Sequence, residues 1–189
     1  MEIINLFDDT IIKFANNLHT NYKALDFFFS AITNLGEALP LMIITIILIF
    51  IKRTRFCGIN MAISLFVSIA IGAFILKPLI ARERPFMDPI YNEYWIAVGK
   101  HLETSFSCPS SHTTASFAAL FPLFLNFNKK YSFIFILIAS LIGFSRVYLV
   151  VHYPSDVLLG ALIGITVSTI TYIVLNKLEL KDRLKNLNI

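Results

Sequence analysis

The chain is predicted to be an all-α, membrane-integral helix bundle, and three observations carry that prediction. Hydrophobic residues make up 57% of its 189 positions, 18 of them phenylalanine, which is too apolar for an ordinary soluble domain. Phe56 to Leu76 is an uncharged run of 21 residues, long enough as helix to cross a hydrocarbon core of about 30 Å. Val157 to Asn176 is a second such run, of 20 residues. Five to six transmembrane helices and an N-terminal amphipathic helix are expected in a single domain over 1–189, with an active site at the outer membrane face of the bundle.

In chain order, Ile4, Phe7, Ile11, Phe14 and Leu18 recur at helical spacing among polar residues, which reads as a helix lying in the membrane interface. Glu2, Asp8 and Asp9 stand where a signal peptide would need a positive and then an apolar stretch, so none is expected. Leu25 to Ile32 is a short second segment stopped at Asn34-Leu35-Gly36, and residues 1–35 form the interfacial part of the chain. Ala38 to Ile51 is a short span ending on the basic loop Lys52-Arg53-Thr54-Arg55. With Asn128-Lys129-Lys130 and the 177–189 tail, which holds Lys177, Lys181, Arg183 and Lys185, that loop is read as cytoplasmic. Loop charge thus accounts for much of the net +4, and no nucleic-acid partner is expected.

The helix from Phe56 carries Asn60, Ser64, Ser68 and Gly72 at four-residue intervals, a stripe suited to packing against another helix. Residues 77–109 then form one long outer connection that holds Lys77, Arg82, Arg84, Lys100 and His101. Cations on that side oppose the orientation rule and need a local purpose. Arg82 is read as a surface partner of Glu83. Ser110 to Phe127 returns to the cytoplasm with Pro122 as an expected kink, and Tyr131 to Ser145 leads out again. The last helix opens at Pro154. Its Asp156, Gly160, Gly164 and Ser168 share one face, which points the carboxylate into the bundle. Residues 36–176 are the catalytic bundle. Cys57 and Cys108 fall at opposite membrane faces, so neither a disulfide nor a zinc site is expected.

Three polar clusters, 77–85, 109–112 and 146–156, fall at outer helix ends, where ionisable groups are expensive and usually functional. Guanidinium groups match phosphate oxygens, and a helix N-terminus adds free N–H donors. Three or four cations and the serine pair Ser110-Ser111 at a helix start thus suit a phosphate. His152, with Asp156 four residues on to fix its tautomer, is the candidate nucleophile. His112 is placed to protonate the departing oxygen. The cations stand where magnesium otherwise would, so no metal or cofactor is expected. Phosphate release should persist in EDTA and be blocked by vanadate, which mimics five-coordinate phosphorus; loss in EDTA restored by magnesium would contradict this.

These motifs resemble the type 2 phosphatidic acid phosphatase family. Lys77-Pro78-Leu79-Ile80-Ala81-Arg82-Glu83-Arg84-Pro85 is similar to its first signature and Pro109-Ser110-Ser111-His112 to its second, usually Pro-Ser-Gly-His. Ser145-Arg146, five residues, His152, three residues and Asp156 match the third. Ser111 departs from the usual glycine. The resemblance implies a multi-pass protein of the cell membrane that hydrolyses a lipid phosphate through a phosphohistidine on His152, with no obligate protein partner. It also implies that Lys77, Arg84, Arg146, Ser110 and Ser111 would hold the phosphate. Undecaprenyl diphosphate is the favoured substrate, with phosphatidylglycerol phosphate and lipid A phosphate as alternatives. A transporter or binding protein for anionic lipid could use the same cations, but would have no need of His112 and His152.

Overall fold

The structure, a computed structural model, describes residues 2–178 together with Leu180 and Leu184; Lys181, Arg183 and Lys185 of the basic tail lie outside the described residues. Every regular element among them is helical. The order is α1 (Glu2–Asn21), α2 (Ala24–Asn34), α3 (Ala38–Phe50), α4 (Arg55–Ile69), α5 (Lys77–Ile80), α6 (Pro89–Ala97), α7 (Ser111–Asn126), α8 (Lys129–Tyr148) and α9 (Pro154–Lys177). A π-helical stretch, Ala70–Leu76, joins α4 to α5, and one 3₁₀ turn, Pro85–Met87, precedes α6.

The bundle is built around α7, which packs against α9, α8, α4 and α3. Its sequence suits a central helix: Ala115, Ser116, Ala118 and Ala119 are small and buried, so neighbouring backbones approach closely. The facing stripe on α9 is Gly160 and Gly164. A Cβ at Gly164 would come within 2.7 Å of Phe117 Cβ and 2.8 Å of Ala118 N and Thr114 O. Gly164→Ala must therefore push α9 off α7, at about 1–3 kcal/mol. The expected result is a lower thermal unfolding midpoint in detergent; an unchanged midpoint would show that the two helices separate freely. Asn60, Ser64 and Ser68 of α4 are each fully buried, as their small, polar stripe predicts.

Among the described residues, three helical stretches are long and apolar enough to cross a membrane: 55–87, α8 and α9. The pair α2 and α3, bent by 50° at its break, would make a fourth as one broken span. Five to six were expected. α3 has only 13 residues and α7 only 16, and neither meets the length alone. Lys52, Arg53, Asn126 and Phe127 line one cavity, so the basic connections do gather at one end of the bundle.

At the other end α1 lies against α8 and α9. It is helical as predicted, and Ile4, Phe7 and Phe14 of its apolar stripe are exposed while Ile11 and Leu18 pack inward. Its most buried face is a different one, Asp8, Ile12, Ala15 and His19. Tyr148 is fully buried against Phe29 and donates to Asp26 Oδ1 at 2.5 Å; it anchors the core and not the membrane interface. Cys57 and Cys108 are free and buried.

Candidate active site

The site is set by how α8 ends and α9 begins. The last turn of α8 carries Arg146, and the chain reverses through Val150, whose φ is +57°. The N–H groups of Val151 and His152 both donate to Arg146 O, at 3.1 and 3.2 Å, closing the helix with the geometry usually given to glycine. A β-branched residue in this conformation is strained. The turn holds His152 only 1% exposed, between the two helices. Asp156 then sits in the first turn of α9, where Oδ2 accepts the Tyr153 N–H at 2.9 Å as a helix cap.

Asp156 is the hub of a buried network. Its Oδ2 also accepts from Ser107 Oγ at 2.5 Å and lies 3.7 Å from His152 Nδ1. Ser107 Oγ is itself 3.5 Å from that nitrogen. On the other edge, Oδ1 accepts from Arg82 Nη1 at 2.7 Å. His152 Nε2 lies 3.3 Å from Arg84 Nη1. A guanidinium has no lone pair to offer, so this contact requires an unprotonated Nε2 and places the imidazole proton on Nδ1, toward the carboxylate. Burial lowers the His152 pKa to about 4; the Asp156 hydrogen bond opposes the shift, and the Arg84 and Arg146 charges reinforce it. At neutral pH the ring is uncharged.

The cations converge on the same place. Arg84, buried, donates from Nη1 to Val151 O at 2.8 Å and from Nε to Ser105 O at 2.7 Å. Lys77 Nζ donates to Ser105 Oγ at 2.8 Å and Phe106 O at 2.7 Å. Arg146 Nη1 reaches Thr33 Oγ1 at 2.8 Å, and its Nη2 donates to Glu103. Glu103 Oε2 is also 3.6 Å from Arg84 Nη2, so one carboxylate occupies an anion position shared by two guanidiniums. Burial alone would raise the Glu103 pKa, but Arg146 and Arg84 outweigh it and hold the group ionised. A cavity of about 510 Å³ opens beside Lys77, Arg82, Arg84 and Glu103. His112, in the first turn of α7, feels the charges of Arg146, Glu103, His152 and Arg84.

A family model described as the PAP2 superfamily matches residues 58–179, which takes in every one of these clusters. The chain belongs to this superfamily. Family members are lipid phosphatases, and so is this chain. It is 30% identical over 187 residues to the lipid A 4'-phosphatase of Bacteroides thetaiotaomicron, covering 94% of this chain and 81% of that one. To the undecaprenyl-diphosphatase of Sulfolobus acidocaldarius it is 34% identical, over 66% of this chain and 58% of the relative. The crystal structure of a transmembrane PAP2 type phosphatidylglycerolphosphate phosphatase from Bacillus subtilis superposes with a TM-score of 0.72 at 27% identity, covering 94% of this chain and 88% of that chain.

Within this PAP2 chain, Lys77, Arg84, Arg146, His112, His152 and Asp156 form one electrostatic cluster. The two serines lie at the start of α7, next to His112. Ser110 directly precedes α7 and spends its N–H on Asp156 O at 3.1 Å, while its Oγ accepts from Thr113 Oγ1 at 3.0 Å. Ser111 is exposed and lines a different, small cavity with Ser68, Gly72 and Pro109. Arg82 corrects the sequence reading. It does not pair with Glu83 but bonds Asp156, Ser155 and Asp8, because the irregular stretch 81–84, which opens on Ala81 at a φ of +47°, turns it toward the start of α9. Ser107, Glu103 and Asp8 were not anticipated. Asp8 alone left a signal, since it shares a helical face with Ile12 and Ala15.

Proposed function

We propose that the chain hydrolyses a polyprenyl or lipid diphosphate, undecaprenyl diphosphate foremost, through a covalent phosphohistidine at the outer face of the cytoplasmic membrane. The observation that carries this reading is His152, whose Nε2 faces Arg84 while Nδ1 faces the Asp156–Ser107 pair. The ring is neutral, its proton directed to the carboxylate and its free lone pair directed among cations.

In the first step Nε2 attacks phosphorus as the bond to the lipid-side oxygen breaks, and His112 gives that oxygen its proton. Asp156 steadies the positive charge on the phosphorylated ring. Lys77, Arg84 and Arg146 hold the phosphoryl oxygens, whose charge grows toward the transition state. A water deprotonated by His112 then attacks phosphorus, releasing phosphate and restoring Nε2. Glu103 must yield its place between the two guanidiniums to the incoming phosphate. A diphosphate is supported by the cavity, which is wide and edged by Phe74, Met87 and Phe106 beside its cations, so it has room for two phosphates and the first part of an apolar chain. The undecaprenyl-diphosphatase relative agrees with this choice. The extent of the match to the lipid A 4'-phosphatase favours lipid A phosphate as the second reading.

Phosphate release from purified undecaprenyl diphosphate, phosphatidylglycerol phosphate and lipid A phosphate decides between them. A tenfold or greater preference for either alternative would overturn the substrate. The acid side of the pH profile tests the nucleophile. Only neutral imidazole attacks, so activity is lost as pH falls through the His152 pKa. With that pKa at about 4, kcat/KM should hold down to that region once the substrate's own titration is allowed for. A limb centred near the ordinary histidine value, about 6.5, would contradict the assignment.

A further inference from the structure

Asp8 is a buried carboxylate that the reaction does not use. It lies on α1, far in sequence from every motif, and is 1% exposed. Its Oδ2 accepts from Arg82 Nη2 and from Ser155 Oγ, each at 2.7 Å, and its Oδ1 accepts the Ser155 N–H at 2.8 Å. The last contact satisfies one of the N–H groups that the first turn of α9 would otherwise leave open. Arg82 uses its other nitrogen on Asp156 Oδ1 at 2.7 Å. One guanidinium thus bridges two carboxylates, one from α1 and one from the site.

We propose that Asp8 is a positioning residue for Asp156, acting through Arg82 and Ser155, so that the seating of α1 on the bundle sets the alignment of His152. A counterion for Asp156 would require Arg82 alone. A second buried carboxylate competes for that same charge and is expensive to desolvate, so charge balance does not explain it. Orientation does. Arg82 leaves an irregular stretch just after Ala81, whose φ is +47°, and its side chain is 26% exposed. With Tyr153 beneath the guanidinium, 3.8 Å from its ring centroid, Asp8 is the contact that fixes the plane of the group while Nη1 points at Asp156.

The same helix turns Ile4, Phe7 and Phe14 outward, an apolar edge of the kind that sinks into a lipid interface. Docking of α1 on the bilayer and order at Asp156 then become one event.

The inference rests on the reading of His152 as nucleophile with Asp156 behind it. Its test is Asp8→Asn in the full-length protein in lipid vesicles, read by steady-state phosphate release. A fall in kcat of about tenfold with KM within about twofold is expected, since a group acting only on catalytic geometry removes transition-state stabilisation and not ground-state binding. The acid limb of kcat/KM should also move to lower pH, because a negative charge is lost and Asp156 is loosened, both of which disfavour imidazolium. The other charges facing His152, namely Asp156, Arg84, Arg146, Glu103 and His112, are unchanged in this variant. Asp8→Asn combined with Arg82→Gln should be no slower than Arg82→Gln alone.

A parental kcat and limb in Asp8→Asn would overturn the inference, leaving Asp8 as an anchor for α1 only. If Asp8→Asn does not fold, Ser155→Ala removes the hydroxyl shared by Asp8 and Arg82 and is expected to lower kcat about threefold with the same shift of the limb; no change there is equally fatal. His152→Ala, run alongside, separates the two levels. Parental release in that variant removes the nucleophile itself, whereas an inactive His152→Ala beside an unimpaired Asp8→Asn overturns only the positioning role.

Discussion

Replacing His152 by alanine is expected to abolish phosphate release, with a loss of roughly 10⁴-fold or more, as for other enzymes deprived of a nucleophile. The size follows from the placing of the ring. Nε2 stands 3.3 Å from Arg84 Nη1, inside the group of cations that would hold the phosphate. Lys77 Nζ is committed to Ser105 and Phe106, and the Ser107 hydroxyl faces Asp156. The change removes a fully buried ring from the joint between α8 and α9, so some stability is lost as well, of the order of 1–3 kcal/mol. Two measurements keep these effects apart: thermal unfolding with and without vanadate, and acid- and base-quenched labelling with ³²P-substrate. The parent should yield an acid-labile, base-stable phosphoprotein and the variant none. A folded His152→Ala that still releases phosphate at more than about a hundredth of the parental rate would rule out the covalent route.

Much of this molecule was legible because its strongest signals are one-dimensional. The uncharged runs that became α4 and α9 needed only length and hydropathy, and the four-residue stripes through Ser64 and Gly160 needed only the helical period. The three polar stretches holding Lys77, Arg84, His112, Arg146, His152 and Asp156 stood out because charge beside apolar segments is costly and needs a reason, and the choice among their residues rested on the resemblance to the family's motifs. What stayed hidden depends on contacts between elements. Ser107 and Glu103 lie in an irregular connection, whose path has no period to read. Glu103 became central only once Arg84 and Arg146 met across it. Arg82 was misread for the same reason: its neighbour in sequence is Glu83, but its partners come from α1 and α9. Length and hydropathy alone do not give the span count, because α7 is packed by helices on several sides, and a helix surrounded by protein need not be long or apolar enough to stand in lipid alone.

Arg84→Lys should be nearly as damaging, lowering kcat/KM about 10²- to 10³-fold, although charge is conserved. The guanidinium is used on both edges. Nε and Nη2 hold Ser105 and lie near Phe106 O and Glu103, while Nη1 holds Val151 O and faces His152 Nε2. It is therefore the piece that ties the 103–107 connection to the turn carrying the nucleophile, and it presents a planar fork where phosphoryl charge would develop. An ammonium places three donors around one point and cannot span that gap. Lysine would keep either the Ser105 side or the His152 side, leaving Val151 O or Ser105 O without its partner and costing about 1–3 kcal/mol in stability. The larger share of the loss should fall on kcat and not on KM, because charge on the phosphoryl oxygens is greatest in the transition state, where one well-aimed donor is worth about 3–4 kcal/mol. Vanadate inhibition should weaken in parallel, since the inhibitor reports the same geometry. If Arg84→Lys instead kept kcat within about threefold and raised only KM, Arg84 would be a simple point charge for binding, and the bridge between the two segments would carry no part of catalysis.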